Sequence, residues 1–213
     1  MNRGGAHVLR PISYNVALTS ELELELARIE RMHMEYIPGE DRIRLRVRTS
    51  DPAEVRCWLT RRFTRHLWQA LEKTMADDPE LAAASSPGER SARLARKHER
   101  ANALSPAREE RADAETQSEA KTQGEQPAEF PLGPQPLLIT RLRVRRTEHG
   151  HRLSLLPPDD ETEGLHINMD ETLLHRFAAL LARSAEQTDW GLELKPPSLA
   201  GALGGLQPGE RVH

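Results

Sequence analysis

The sequence predicts an α+β protein in which two β-β-β-α units share one core on either side of a long disordered central linker. Three observations carry that expectation. Apolar and polar residues alternate at strand spacing in two separate regions, and an apolar stripe at helical spacing follows each. Between them, from Met75 to Phe130, there is no Val, Ile, Met, Phe, Trp or Tyr.

Alternation defines the first hairpin. Met32, Met34 and Tyr36 alternate with polar residues, PGED at 38–41 supplies a turn, and Ile43, Leu45 and Val47 alternate with arginine. Pairing across that turn sets Tyr36 opposite Ile43, Met34 opposite Leu45 and Met32 opposite Val47, so all six share one face. The other face sets Glu35 against Arg44 and His33 against Arg46. VRCWL at 55–59 reads as a third strand with Val55, Cys57 and Leu59 inward and Arg56 and Trp58 outward. Thr60 is an N-cap for a helix striped by Phe63, Leu67, Leu71 and Met75. Upstream, ELELEL at 21–26 fits either a strand in parity with Met32 or a helix with Ser20 and Glu23 at capping-box spacing. The strand is the favoured reading.

The second half follows the same grammar. PLLITRLRVRR is read as one strand with Leu138, Leu142 and Val144 on one side, turned by TEHG into HRLSLL, whose Leu153 and Leu155 meet Val144 and Leu142. LHINM places Leu165, Ile167 and Met169 inward. Asp170 caps a helix striped by Leu173, Leu174, Phe177, Leu180 and Leu181, and WGLEL at 190–194 is expected as a short closing strand. LTRRFTRHL at 59–67 and MDETLLHRF at 169–177 occupy equivalent places, which suggests an internal duplication.

The domain boundaries follow from composition. Residues 1–76 form the first half and 77–135 a charged, alanine-rich linker. Residues 136–195 form the second half with its closing strand, and 196–213 are a Gly/Pro-rich flexible tail. A segment so poor in large apolar residues cannot bury enough surface to offset the entropy of ordering it. Within it, only 89–103 has the alanine and charge content of a transient helix. Charge is uneven. The chain carries a net −3, yet 42–65 holds eight arginines against Asp51 and Glu54.

One cysteine excludes an intramolecular disulfide framework and suits a reducing compartment. The first residues carry no apolar signal segment, and no uncharged apolar run is long enough to span a bilayer. A cytoplasmic protein without membrane contact is expected.

Motifs for chemistry are sparse. GALGG at 201–205 has no following Lys and Ser/Thr, so it is no phosphate loop. Cys57, on a core-facing strand position, reads as an inert small hydrophobe. His149 and His151 form an H-x-H at a hairpin tip that His166 could approach, but exposed turn histidines explain them as well. DDETEG at 159–164 lacks EF-hand spacing. Neither catalysis nor a cofactor or metal is expected.

The arginine face stands out. Arg42, Arg44, Arg46 and Arg48 project from one side of a strand, beside Arg56 and Trp58, and Arg61, Arg62 and Arg65 begin the following helix. Cations there oppose the helix dipole and cost roughly a few tenths of a kcal/mol each. Stability alone would not choose them. Trp58 is placed for a cation–π contact with Arg46. The expected function is a non-catalytic interaction or adapter protein that docks an acidic protein partner through this face or a sheet edge, with edge-strand homodimerisation as one route. The alternative is nucleic-acid binding by the same residues. Against it stand the chain's acidic balance, the absence of an established nucleic-acid-binding motif, and the nearby glutamates Glu35, Glu23 and Glu25.

Overall fold

A computed structural model describes residues 15–17, 27–50, 53–103 and 129–197. β1 is Asn15–Ala17, β2 is Ala27–Ile37 and β3 is Arg42–Thr49. The alternation predicts the β2–β3 register correctly: Tyr36↔Ile43, Met34↔Leu45 and Met32↔Val47 share one face, and Glu35↔Arg44 and His33↔Arg46 the other. Pro38–Glu40 makes a single 3₁₀ turn, and Asp41 adopts a left-handed φ of 47° to enter β3. β4, Glu54–Leu59, buries Val55, Cys57 and Leu59. α1, Arg61–Ala76, starts on Thr60, whose hydroxyl accepts the Phe63 N–H at 3.3 Å, and it buries Phe63, Leu67, Leu71 and Met75.

The first part of the expected linker is not unstructured. α2, Pro79–Ala82, and α3, Pro87–Ala103, occupy it. The composition argument failed here because α3 needs no large apolar stripe. It seats Ala95, His98 and Ala101 against a neighbouring helix, where small residues allow close approach, while Leu81 of α2 is 1% exposed. Residues 129–135 are also placed: the Glu54 N–H donates to the Glu129 carbonyl at 2.8 Å. The remainder of the linker, 104–128, lies outside the described residues, as do ELELEL and the tail from 198.

PLLITRLRVRR proves to be two strands, β5 (Leu137–Ile139) and β6 (Arg141–Thr147). β7 is Gly150–Leu156, β8 is Leu165–Met169, and α4 is Glu171–Glu186, capped by Asp170, which accepts the Leu173 N–H at 2.7 Å. Val144 meets Leu153 and Leu142 meets Leu155, as expected. Ile139, not Leu138, is the buried residue of β5.

A four-stranded part (β5-β4-β3-β2) and a three-stranded part (β8-β7-β6) are joined through the short β1, in the order β5-β4-β3-β2-β1-β8-β7-β6. Among the described strand pairs only β4–β5 is parallel. The two end strands are consecutive in the chain, separated by Thr140 alone. Laid flat, seven interstrand spacings would put them about 34 Å apart, whereas the two steps from Ile139 to Arg141 span at most about 7 Å. The sheet must therefore curl enough for the end of β5 to run directly into the start of β6. The Thr140 N–H donates to the Leu156 carbonyl at 3.0 Å, and Leu156 is also the partner of Arg141, so two residues oppose one in a bulge that bends the chain between the two parts.

α1 and α4 pack on each other and on one face of the sheet, and a single hydrophobic cluster joins side chains from both halves. The Ser184 hydroxyl donates to the Met34 carbonyl at 3.0 Å, pinning α4 to β2. The expected closing strand at 190–194 is absent. Gly191 takes a φ of 61°, which breaks an extended run, and Trp190 turns inward instead. Its indole N–H donates to Asp41 at 2.6 Å and its ring meets Tyr36 edge-on at 5.7 Å.

Candidate functional site

The arginine face lies on the side of β2-β3-β4 away from α1 and α4, because strand alternation that buries Ile43, Leu45 and Val47 must turn Arg42, Arg44, Arg46 and Arg48 outward. All four are half-buried. Glu35 on β2 accepts from Arg44 Nε at 3.0 Å and Nη2 at 2.6 Å, the cross-strand pair the sequence anticipated. The larger organiser was not anticipated. Glu54, 4% exposed, opens β4 and takes Arg56 Nε at 2.5 Å, with Arg46 Nε and Arg48 Nε each at 3.8 Å. A buried carboxylate is tolerated only when cations surround it, and three do. Parity held the signal: Glu54 shares its outward face with Arg56, which pairs directly with Arg46.

The expected Arg46–Trp58 stack does not form. Arg56 lies over Phe130, 4.6 Å from the ring centre, and also donates to the Pro134 carbonyl at 3.4 Å. Trp58 is half-buried opposite Arg44. The nine residues singled out from sequence therefore divide. Arg44, Arg46, Arg48 and Arg56 are engaged with carboxylates. Arg61, Arg62 and Arg65 are exposed on the first turns of α1, which has no acidic residue in its opening turn. Those three make no ion pair among the described residues. Ile43 pairs with Leu59, so Arg42 lies at the same end of the sheet as Arg61. Hydrogen bonds from Trp190 and Tyr36 hold the Asp41 carboxyl below its ordinary value, with the charge of Arg61 adding to them.

A second polar cluster lies between α3 and α4. Lys97 Nζ sits 2.5 Å from Asp78, 2.7 Å from Glu80 and 2.6 Å from Glu171. Burial opposes its charge, but the three carboxylates push its pKa upward. Next to it, His98 and His175, 5% and 2% exposed, bring their Nδ1 atoms to 3.2 Å. Their ring centres are 5.4 Å apart, nearly the full sum of that distance and two ring radii, so the nitrogens point at each other. That is N–H···N hydrogen-bond geometry and not convergence on a shared metal. Among the described residues, no group of three or more His, Cys, Asp or Glu could hold a metal ion. Burial lowers His98, and burial with the neighbouring His98 and Lys97 lowers His175 to about 4, so both rings are neutral near pH 7.

His175 also lines a cavity of about 170 Å³, together with Asp78, Arg146, Glu148, His151 and Glu171. Gly150 closes one wall: a Cβ there would meet the Met169 carbonyl oxygen at 2.2 Å. His149 is exposed at the hairpin tip, while His166 bonds Ser154 at 2.8 Å. Sequence reasoning did not reach the histidine pair, because its members are 77 positions apart and on separate helices. Cys57 is fully buried, which pushes its thiol up to about 12. At that value almost no thiolate is present near neutrality. No helix among the described residues is long and apolar enough to cross a membrane.

No family model, curated protein or solved structure matches the chain.

Proposed function

We propose that this chain is a non-catalytic interaction module that docks an acidic protein surface on the basic patch at the start of α1. The observation that carries the reading is the placement of Arg61, Arg62 and Arg65, exposed and without an ion pair among the described residues, on the positive end of a helix. Arg42 extends the patch on the sheet side. Arg44, Arg46, Arg48, Arg56 and Trp58 serve as its scaffold, since their charge is answered by Glu35 and Glu54 or, for Trp58, their ring is half-buried. That neutralisation also weighs against nucleic acid, whose phosphates would have to compete with two glutamates for the strand arginines. Burial of the Cys57 thiol and the mutual hydrogen bond of the two buried histidines favour a module without chemistry of its own.

The common order of meander and helix in β2-β3-β4-α1 and β6-β7-β8-α4, each helix capped at the same place by Thr60 or Asp170, supports reading the halves as a duplication.

The test is affinity purification from the native host, with and without nuclease, comparing the natural chain with the triple variant R61E/R62E/R65E. The expected result is a protein partner that survives nuclease and is lost with the triple variant. Partners that vanish with nuclease would establish the nucleic-acid reading instead. Capture unaffected by the charge reversal would overturn both.

A further inference from the structure

RLRVR occurs twice, at 44–48 inside β3 and at 141–145 inside β6. In β3 the sheet supplies the countercharge, because β2 and β4 flank it and contribute Glu35 and Glu54. β6 ends the sheet; among the described residues β7 is the only strand paired with it, and α1 also touches it. That strand offers no acid: Arg143 faces Ser154, and Arg145 faces Arg152, which bonds Asn168 instead. Arg141 is held by Asp160 and by the Pro157 and Asp159 carbonyls. Arg143 and Arg145 are exposed and make no ion pair among the described residues, while Leu142 and Val144 are only half-buried.

Among the described residues the edge is also open in its backbone. A two-residue turn, Glu148–His149, joins Thr147 to Gly150, and such a turn closes on a hydrogen-bonded pair. Bonded and non-bonded pairs then alternate, so Leu142, Val144 and Arg146 turn their amides and carbonyls away from β7, toward the open side. What β6 lacks among the described residues is a strand with carboxylates at every second position and apolar residues between them.

We propose that the β6 edge binds an extended acidic–apolar segment of a partner protein by strand addition. Glu or Asp would face Arg143 and Arg145 as Glu35 faces Arg44, and Leu or Val would complete the cover over Leu142 and Val144. A second copy of β6 is a poor occupant: antiparallel pairing about Val144 sets Arg143 against Arg145, and like charges directly opposite repel. The arginines that keep two copies apart thus select an acidic strand. The inference rests on the same reading of the chain as a docking module but uses a surface separate from the α1 patch.

The experiment measures binding of a labelled peptide, TDVDVDVT, to the full chain by fluorescence anisotropy, with TKVKVKVT as its charge-swapped counterpart. The natural chain is expected to bind the acidic peptide and not the basic one. R143E/R145E is expected to weaken the acidic peptide about tenfold, from two cross-strand pairs reversed, and to gain binding of the basic peptide. In the R61E/R62E/R65E background, R143E/R145E should still weaken the acidic peptide about tenfold. Absence of binding to the natural chain, or equal binding by R143E/R145E, overturns the proposal. If R61E/R62E/R65E alone abolishes binding, the acidic peptide belongs to the α1 patch: the edge inference fails and the proposed function stands. Circular dichroism of each variant confirms that the fold is retained.

Discussion

Two charge clusters in this protein are inversions of each other. On the sheet, one acid, Glu54, is ringed by Arg46, Arg48 and Arg56; between the helices, one base, Lys97, is ringed by Asp78, Glu80 and Glu171. Their settings differ. The side chain of Glu54 is 6% exposed and its partners are held by strand register, whereas Glu80 and Glu171 are 75% and 49% exposed and come from separate helices. The first cluster is fixed by the pleat of one meander. The second exists only if α2, α3 and α4 dock, and the buried His98–His175 pair sits inside that docking surface. The protein therefore couples charge to register in one place and to helix docking in the other.

The largest effect that would sharpen this contrast is acid destabilisation concentrated in the helix cluster, to which His166 and His151 on the sheet, also lowered by burial, add over the same range. Burial holds His98 and His175 below the ordinary imidazole value, so their contribution is complete above about pH 6.5 and is lost as pH falls toward 4, where the unfolded chain binds protons that the folded chain excludes. Asp78, held low by Lys97 against the opposing effect of burial, loses its contribution at still lower pH. Glu171, raised by burial, offsets part of the loss. The expected total is on the order of 3 kcal/mol between pH 7 and 4, read from urea midpoints by circular dichroism. His175→Gln should remove most of that slope. A slope unchanged in this variant would place the acid sensitivity elsewhere.

Next in size is Glu54→Gln. It leaves Arg46, Arg48 and Arg56 on a half-buried face without their carboxylate, and the expected loss is about 2 kcal/mol. Asp160→Asn, which removes the exposed partner of Arg141 in the second RLRVR, should cost at most about 0.5 kcal/mol. Comparable losses in the two variants would mean that sheet position does not set the value of a partner.

How far each cluster was legible follows from the same difference. Strand parity set Ile43, Leu45 and Val47 inward and Glu35 against Arg44, and those pairings hold to the residue. It also contained Glu54, since parity puts that residue on the face of Arg56. Parity did not reveal that Thr140 divides one apolar run into two strands, because the bulge arises from the closure of the sheet and not from the local pattern. The helix cluster left no local trace. Lys97 and His98 lie in a stretch with the composition of a linker, and His175 lies among the apolar residues of α4. Only tertiary contact makes them a unit. Trp190 illustrates the same limit: WGLEL alternates like a strand, but its indole is claimed by Asp41, 149 positions away.

The salt dependence of Lys97→Met is what separates the two clusters. The substitution keeps much of the aliphatic stem and leaves three carboxylates facing one another. Because Glu80 and Glu171 reach solvent, water and ions screen their repulsion, and the loss should be about 1 kcal/mol at low ionic strength. At about 1 M salt, where the screening length shrinks to about 3 Å, most of that loss should disappear. Glu54→Gln should behave differently, since a carboxylate with a 6% exposed side chain is shielded from mobile ions and its cations lie against it. Its loss should change little over the same salt range. Parallel urea titrations of the two variants at low and high salt would decide the matter. If both losses shrink together, the sheet cluster is as wet as the helix cluster, and the distinction between them rests on geometry alone.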